Sequence, residues 1–202
     1  GCVRNALLEE EVLDIDIATK LKPEEVMQCL EKAGIKTVPT GINHGTVTAV
    51  FEGRSFEITT LREDIKTDGR HAEVAFSKDW LKDAQRRDFT MNTLLMDESG
   101  AVYDPLGQGL SDLKVRQVRF VGDPERRILE DALRVLRFFR VHATYGKGDP
   151  DPDGLEACRK AGESGYLDRL SRERITQEFL KILGSDRAAD TVSLMFSVSV
   201  LS

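Results

Sequence analysis

The chain has no apolar stretch approaching the ~20 residues that a helix needs to cross a bilayer, and no signal peptide is recognisable. Its three cysteines, Cys2, Cys29 and Cys158, lie far apart and lack metal-ligand spacing. They read as reduced intracellular thiols, which excludes a disulfide scaffold and a thiolate zinc site. Basic charge is not in excess: 29 Lys and Arg stand against 35 Asp and Glu, a net charge of −6. That balance excludes a protein that coats nucleic acid through its overall field, and any RNA contact must come from local basic clusters. Internal repeats and low-complexity tracts are absent. What is present suffices for an ordinary core, since 40% of the 202 residues are hydrophobic, in a length suited to one large or two small domains. A cytosolic or organelle-matrix protein with no membrane partner is expected.

The most informative run is Asp14, Ile15, Asp16, Ile17, Ala18 and Thr19, shortly after an opening of Gly1, Cys2, Val3, Arg4 and Asn5. On an extended segment, residues two apart share a face. Two carboxylates on one face suit a hard cation such as Mg²⁺, which keeps several waters and is usually bound by one or two carboxylates together with substrate phosphates. Ile15 and Ile17 are expected to face the opposite, buried side. A solvated acidic strand face has the same signature, so the pair alone does not decide.

Pro23 at a helix first turn, Val26, Met27, Leu30 and Ala33 at helical spacing, and Gly34 as a stop predict an amphipathic helix. Thr46–Phe51 and Arg54–Thr60 alternate in period two around Glu52 and Gly53, the pattern of a hairpin. In that register Glu57 shares a face with Thr59, which directs it either toward the acidic pair or simply to solvent. Between Arg62 and Lys78 the pattern breaks into polar sequence containing His71, and a long loop is expected. From Asp123 onward the chain reads as successive helices. Ala132, Leu136, Phe139 and Ala143 supply one apolar face, Ser171 is placed to cap a helix with Glu173 and Arg174 near its start, and a last helix is expected from Ala188 to Val198.

Two further clusters follow the acidic run: Arg86, Arg87, Asp88, Phe89, Thr90, Met91, Asn92, and Glu130, Asp131, Ala132, Leu133, Arg134, Val135, Leu136, Arg137. With these, the Gly-x-Val-Arg opening, the Asp-Ile-Asp-Ile-Ala-Thr segment and Glu57-Ile-Thr-Thr-Leu-Arg62, the chain resembles the class II tRNA nucleotidyltransferases (CCA-adding enzymes) and the related bacterial poly(A) polymerases. The resemblance spans about residues 1 to 183 and is specific as an ensemble. It implies an α+β fold, with a polymerase-beta-like nucleotidyltransferase head over 1–121 followed by an all-helical neck over 122–202. It also implies metal-dependent nucleotidyl transfer from CTP and ATP to tRNA, with Mg²⁺ on Asp14 and Asp16. The family's opening carries a second glycine just before the first residue here, and the family continues into further helical domains that hold the tRNA elbow. A fragment comprising head and neck is therefore expected.

Nucleotidyl transfer needs an activated 3′ hydroxyl, a charge clamp on the phosphates and an in-line leaving pyrophosphate, roles that two carboxylate-bridged metals supply. Gly1 and Arg4, at a short helix from Val3 to Leu8, are placed to meet the triphosphate. Arg87 is a further nucleotide contact by the resemblance, and Asp88 and Asn92 hold the turn. Asp131, Arg134, Arg137 and Arg140 recur every third residue, which on one helix makes a slowly drifting polar stripe. That stripe is either a row of solvated ion pairs or a reader of bases. A carboxylate accepts from an exocyclic amine while a guanidinium donates to a ring nitrogen, a pattern that admits C and A and leaves U and G with unpaired polar groups. The resemblance makes Asp131 and Arg134 this protein template. Two departures stand out: the family's Arg-Asp is Arg4-Asn5 here, and its Gly-Arg or Gly-Lys before the acidic run is replaced by Glu9, Glu10 and Glu11. Poly(A) polymerase is the competing enzyme reading, and a catalytically silent RNA-binding module is the competing reading of another class.

Overall fold

Local signals set the first helical and sheet elements. α1 covers Cys2–Leu7 and α2 covers Pro23–Lys32. Pro23 occupies the first turn of α2, where its missing N–H costs nothing, and the Glu25 carboxylate accepts from the Lys22 N–H at 2.7 Å, satisfying an otherwise orphaned donor. Four strands, β1 (Asp16–Thr19), β2 (Lys36–Gly41), β3 (Thr46–Phe51) and β4 (Arg54–Thr60), form a mixed sheet in the order β1-β4-β3-β2. β1 runs parallel to β4; β3 is antiparallel to both β4 and β2. The β3–β4 hairpin turns at Glu52 and Gly53, both with positive φ (49° and 75°), the backbone of a primed two-residue turn whose twist matches the strands. Val26 of α2 packs with Val47, Ala49 and Ile58, and Met27, Leu30 and Ile35 close the cluster.

This computed structural model describes residues 1–68 and 71–201, with side chains described outside 64–74. The loop expected between Arg62 and Lys78 is instead two paired strands, β5 (Arg62–Asp68) and β6 (His71–Phe76). Gly69, Arg70 and the His71 side chain lie outside the described residues. Pairing satisfies backbone groups whatever the polarity of the side chains, so composition carried no sign of it. α3 (Trp80–Gln85) follows, capped by Asp79 through the Leu81 N–H. Two short strands, β7 (Leu95–Met96) and β8 (Val102–Tyr103), pair around a turn closed on Asp97.

The remaining elements are helical: α4 (Gly109–Lys114), α5 (Pro124–Glu130), α6 (Leu133–Tyr145), α7 (Pro152–Glu163), α8 (Arg172–Leu183) and α9 (Ala188–Ser197). Asp123 and Asp151 cap α5 and α7 through the N–H groups of Arg126 and Gly154, each followed by Pro at the first helical position. Ser171 sits at the N-cap of α8 but makes no side-chain cap bond there. The expected apolar face of α6 is buried, Ala132, Leu136, Phe139 and Ala143 all lying in the core. Phe138 joins it, stacking on Phe120 at 5.4 Å, and Phe120 meets Phe89 at 5.0 Å.

The chain divides into two compact units, one of Gly1–Thr67, Ala72–Arg86 and Leu94–Leu106, the other of Asp68–His71, Arg87–Thr93 and Gly107–Ser202. The first holds the mixed sheet and the second the helices α4 to α9, an α+β fold.

Candidate active site

In the first unit the acidic residues gather at the start of β1. That strand begins at Asp16, so Asp14 lies two residues ahead of it rather than within a longer strand. Register pairs Asp16 with Glu57 and Ile17 with Ile58, which brings Glu57 beside Asp16 on one face of the sheet. A Cβ added at Gly1, the N-cap of α1, would lie 3.9 Å from Asp16 Oδ2, so this carboxylate borders the opening of the chain. Asp14, Asp16 and Glu57 are exposed, and among the described residues their carboxylates accept no hydrogen bond or ion pair. No group of three or more His, Cys, Asp and Glu among the described residues is arranged to hold a metal. Two exposed carboxylates with free oxygens are the donor set of a hard divalent cation that is completed by phosphate oxygens and water.

The expectation that Ile15 and Ile17 are buried is wrong: they are 51% and 41% exposed. β1 is an edge strand, and α2 packs chiefly on β2, β3 and β4.

Arg4 is buried, and its Nε and Nη2 donate to Asn5 Oδ1 at 3.1 and 2.8 Å. Asn5 Nδ2 in turn donates to the Glu11 carbonyl at 2.8 Å. Asn5 thus ties the Arg4 guanidinium to the acidic run, and an aspartate there would accept from Arg4 but have no donor for Glu11. Glu9 adopts φ 59°, in the left-handed region.

The second unit holds the arginine clusters. Asp131 is not on the helix with Arg134: α5 ends at Glu130, Asp131 is extended (φ −155°, ψ 107°), and α6 starts at Leu133. The uninterrupted stripe is thereby corrected to an acid at a helix break followed by three arginines on α6. Asp131 Oδ1 accepts from the Leu133 N–H at 3.1 Å, helping restart the helix, and Oδ2 accepts from Arg174 Nη2 at 2.8 Å. Arg134 Nη1 donates to Glu130 Oε2 at 2.6 Å and to the Arg127 carbonyl at 2.8 Å. Arg137 Nε and Nη2 donate to Asp88 Oδ2 at 2.9 and 2.5 Å, and Arg140 Nε to Glu178 Oε2 at 2.6 Å. Arg87 Nη1 donates to the Asn92 carbonyl at 3.1 Å, while buried Arg127 pairs with Glu130 and holds the Arg87 carbonyl at 2.7 Å.

Asp88 and Asn92 hold their turn as expected: Asp88 Oδ1 accepts from the Phe89 N–H and the Asn92 amide. Burial pushes the Asp88 carboxyl up, but the Arg137 guanidinium, the Asn92 amide and the Phe89 N–H outweigh it and hold it below the usual carboxylate range. The sequence reading missed Glu130, Arg127, Arg174 and Glu178 as partners of these arginines and of Asp131. Glu130 lies within the quoted cluster and Arg174 at a predicted helix start, yet no local spacing links either to its partner.

A family model described as the Poly A polymerase head domain matches residues 1–119, and one described as a probable RNA and SrmB-binding site of polymerase A matches residues 149–202. The chain belongs to the tRNA nucleotidyltransferase and poly(A) polymerase family. Among its relatives in this family is the mitochondrial CCA tRNA nucleotidyltransferase 1 of Danio rerio, 42% identical over 203 residues, covering 99% of this chain and 46% of the relative. The Bacillus stearothermophilus CCA-adding enzyme in complex with CTP superposes with a TM-score of 0.87 at 35% identity, covering 100% of this chain and 47% of that one. The Thermotoga maritima CCA-adding enzyme complexed with tRNA has a TM-score of 0.79 at 26% identity, covering 99% and 45%. The chain spans about half the length of the relatives it matches. No helix among the described residues is long and apolar enough to cross a membrane.

Proposed function

We propose that this chain provides the catalytic head, residues 1–121, and helical neck, residues 122–202, of an enzyme that adds CMP and AMP to the 3′ end of tRNA without a nucleic-acid template. The observation that carries the reading is the likeness, along 99% of the chain, to a protein named for CCA addition, with both acids of the Asp-x-Asp pair present and unengaged. The substrates are CTP, ATP and tRNA, and the compartment is the cytoplasm or the mitochondrial matrix.

Asp14 and Asp16 are the residues that would hold Mg²⁺. When bound, the metal would supply Lewis-acid stabilisation of the attacking and leaving oxygens at the α-phosphate. Gly1 and Arg4 form the triphosphate end, a role supported by the closeness of Gly1 to Asp16. Arg87, Arg137 and Arg140 are further nucleotide contacts in the second unit, Arg137 and Arg140 through guanidinium donors other than those given to Asp88 and Glu178. Asp131 and Arg134 read the base. The Asp131 carboxylate offers about four acceptor sites, two of them taken by Leu133 and Arg174, which leaves acceptors for an exocyclic amine. Only Nη1 of Arg134 is engaged among the described residues, so its Nε and Nη2 donors are left for a ring nitrogen. A base offering a carbonyl beside an N–H would strand both groups, which is costly in a partly dry site.

Primer extension on tRNA lacking its 3′ CCA, with each of the four triphosphates alone and in mixture, tests this reading. Two C residues followed by A are expected, with U and G refused. Runs of A on any RNA end would make the protein a poly(A) polymerase, and no incorporation would leave the silent RNA-binding module.

A further inference from the structure

Gly1, the N-cap of α1, borders the Asp16 carboxylate, and Arg4 follows it by one helical turn. The Arg4 side chain is buried, and its Nε and Nη2 both donate to a single oxygen, Asn5 Oδ1, at 3.1 and 2.8 Å. A planar guanidinium held along one edge by two donors has a fixed orientation. An aspartate at this position would give the same fork and cancel the charge. The asparagine amide gives the fork and cancels nothing.

The rest of Asn5 holds the segment that leads to the acidic pair. Its carbonyl accepts from the Leu8 and Glu10 N–H groups at 3.1 and 2.9 Å, and its Nδ2 donates to the Glu11 carbonyl at 2.8 Å. The chain reverses between these contacts through Glu9, with its φ of 59°. A carboxylate at position 5 would face the Glu11 carbonyl with no hydrogen between them, whereas an amide accepts from Arg4 and donates to Glu11 at once. We propose that Asn5 is a positioning residue for the triphosphate: it fixes the Arg4 guanidinium without neutralising it, so that the positive charge is kept for the phosphates of the incoming nucleotide. The inference rests on Arg4 being a triphosphate contact, as proposed above. Asn5 does not touch the nucleotide in this role, and it works through the orientation and charge of another side chain. All four nucleotides carry the same phosphates, so Asn5 governs grip and not the choice of base.

The test compares the wild type with Asn5→Asp, Asn5→Ala and Arg4→Gln, each with its thermal midpoint. KM and kcat are measured for CTP and ATP on tRNA ends that accept C or A. Calorimetry in Mg²⁺ gives Kd for inorganic tripolyphosphate, which has the phosphates without sugar or base. Asn5→Asp is expected to raise both KM values and the tripolyphosphate Kd by about tenfold, the weight of one hydrogen bond to a charged group. Little change in kcat is expected, since the lost interaction serves ground state and transition state alike. Asn5→Ala leaves the charge and removes the hold, and it should raise the same constants through misplacement. An asparagine that only supports the fold would lower the thermal midpoint and leave KM and Kd at wild-type values, and that outcome overturns the proposal. Should Asn5→Asp not fold, Asn5→Ala carries the same measurement. If Arg4→Gln raises both constants and neither Asn5 variant does, Asn5 has no positioning role while the triphosphate assignment of Arg4 stands. If Arg4→Gln itself leaves them unchanged, that assignment fails and this inference with it; Arg4→Met replaces it should Arg4→Gln not fold.

Discussion

The carboxylates of Asp14 and Asp16 support nothing in the fold, being exposed and unbonded among the described residues. Asp14→Ala or Asp16→Ala should therefore change stability by no more than about 0.5 kcal/mol while abolishing incorporation of both C and A, with tRNA binding retained. Measurable addition by the double variant in Mg²⁺ would refute their assignment as metal ligands. Glu9 poses the opposite case, a residue whose backbone is strained and whose side chain is exposed. Its φ of 59° costs a side-chain-bearing residue about 1–2 kcal/mol that glycine avoids. Glu9→Gly is expected to stabilise the protein by about 1 kcal/mol, after glycine's greater freedom in the unfolded chain is offset; an unchanged or lower denaturation midpoint would contradict this.

At the scale of elements, α6 is held to its surroundings by charges that its own sequence does not pair. Arg137 neutralises buried Asp88, which also receives the Phe89 and Asn92 N–H groups. Arg137→Met should strip the charge partner from that carboxylate and cost about 1–3 kcal/mol, read as a lower urea midpoint with an unchanged slope. His142, near the C-terminal end of α6, is buried, and its Nδ1 has no hydrogen-bond partner among the described residues. Burial and, next, the Arg187 guanidinium push its pKa down to about 4, against a smaller opposing pull from Asp149. A histidine that titrates near 6.5 when unfolded and about 4 when folded binds more protons in the unfolded state between those values. Its contribution to stability is complete above pH 6.5 and is lost as the pH falls toward 4. Unfolding free energy measured across this window should decline with acid, and His142→Gln should flatten that part of the slope.

For the whole molecule, the net charge of −6 means that affinity for an RNA partner depends on where the positive charge lies. Glu9, Glu10 and Glu11 concentrate negative charge just ahead of Asp14, where the family carries a basic residue. Glu11→Lys is expected to strengthen tRNA binding and to steepen its salt dependence by about one phosphate contact. A titration at two ionic strengths checks it, and an unchanged slope would show that RNA does not pass this edge. The variant leaves the Glu11 carbonyl available to Asn5, so the effect is electrostatic.

The residues that specify local geometry did so within a few positions of themselves. Glu52 and Gly53 placed the hairpin turn, Pro23 and Gly34 bounded α2, and the spacing of Ala132, Leu136, Phe139 and Ala143 gave α6 its buried face, because turns, caps and periodicity depend on near neighbours. The Asp-x-Asp pair and the arginine clusters were likewise legible as residue types suited to metal and nucleotide. Strand order was not, which is why Ile15 and Ile17 were assigned to a core that an edge strand does not have. Nor were the partners of the charges: Asp88 meets Arg137 across 49 residues and Asp131 meets Arg174 across 43. Such pairs form only once helices have packed, since no spacing rule reaches that far along a chain. The sequence determined which groups are available for chemistry and where the chain turns; the tertiary structure decided which carboxylates stay free, which are neutralised, and which arginine holds Asp131.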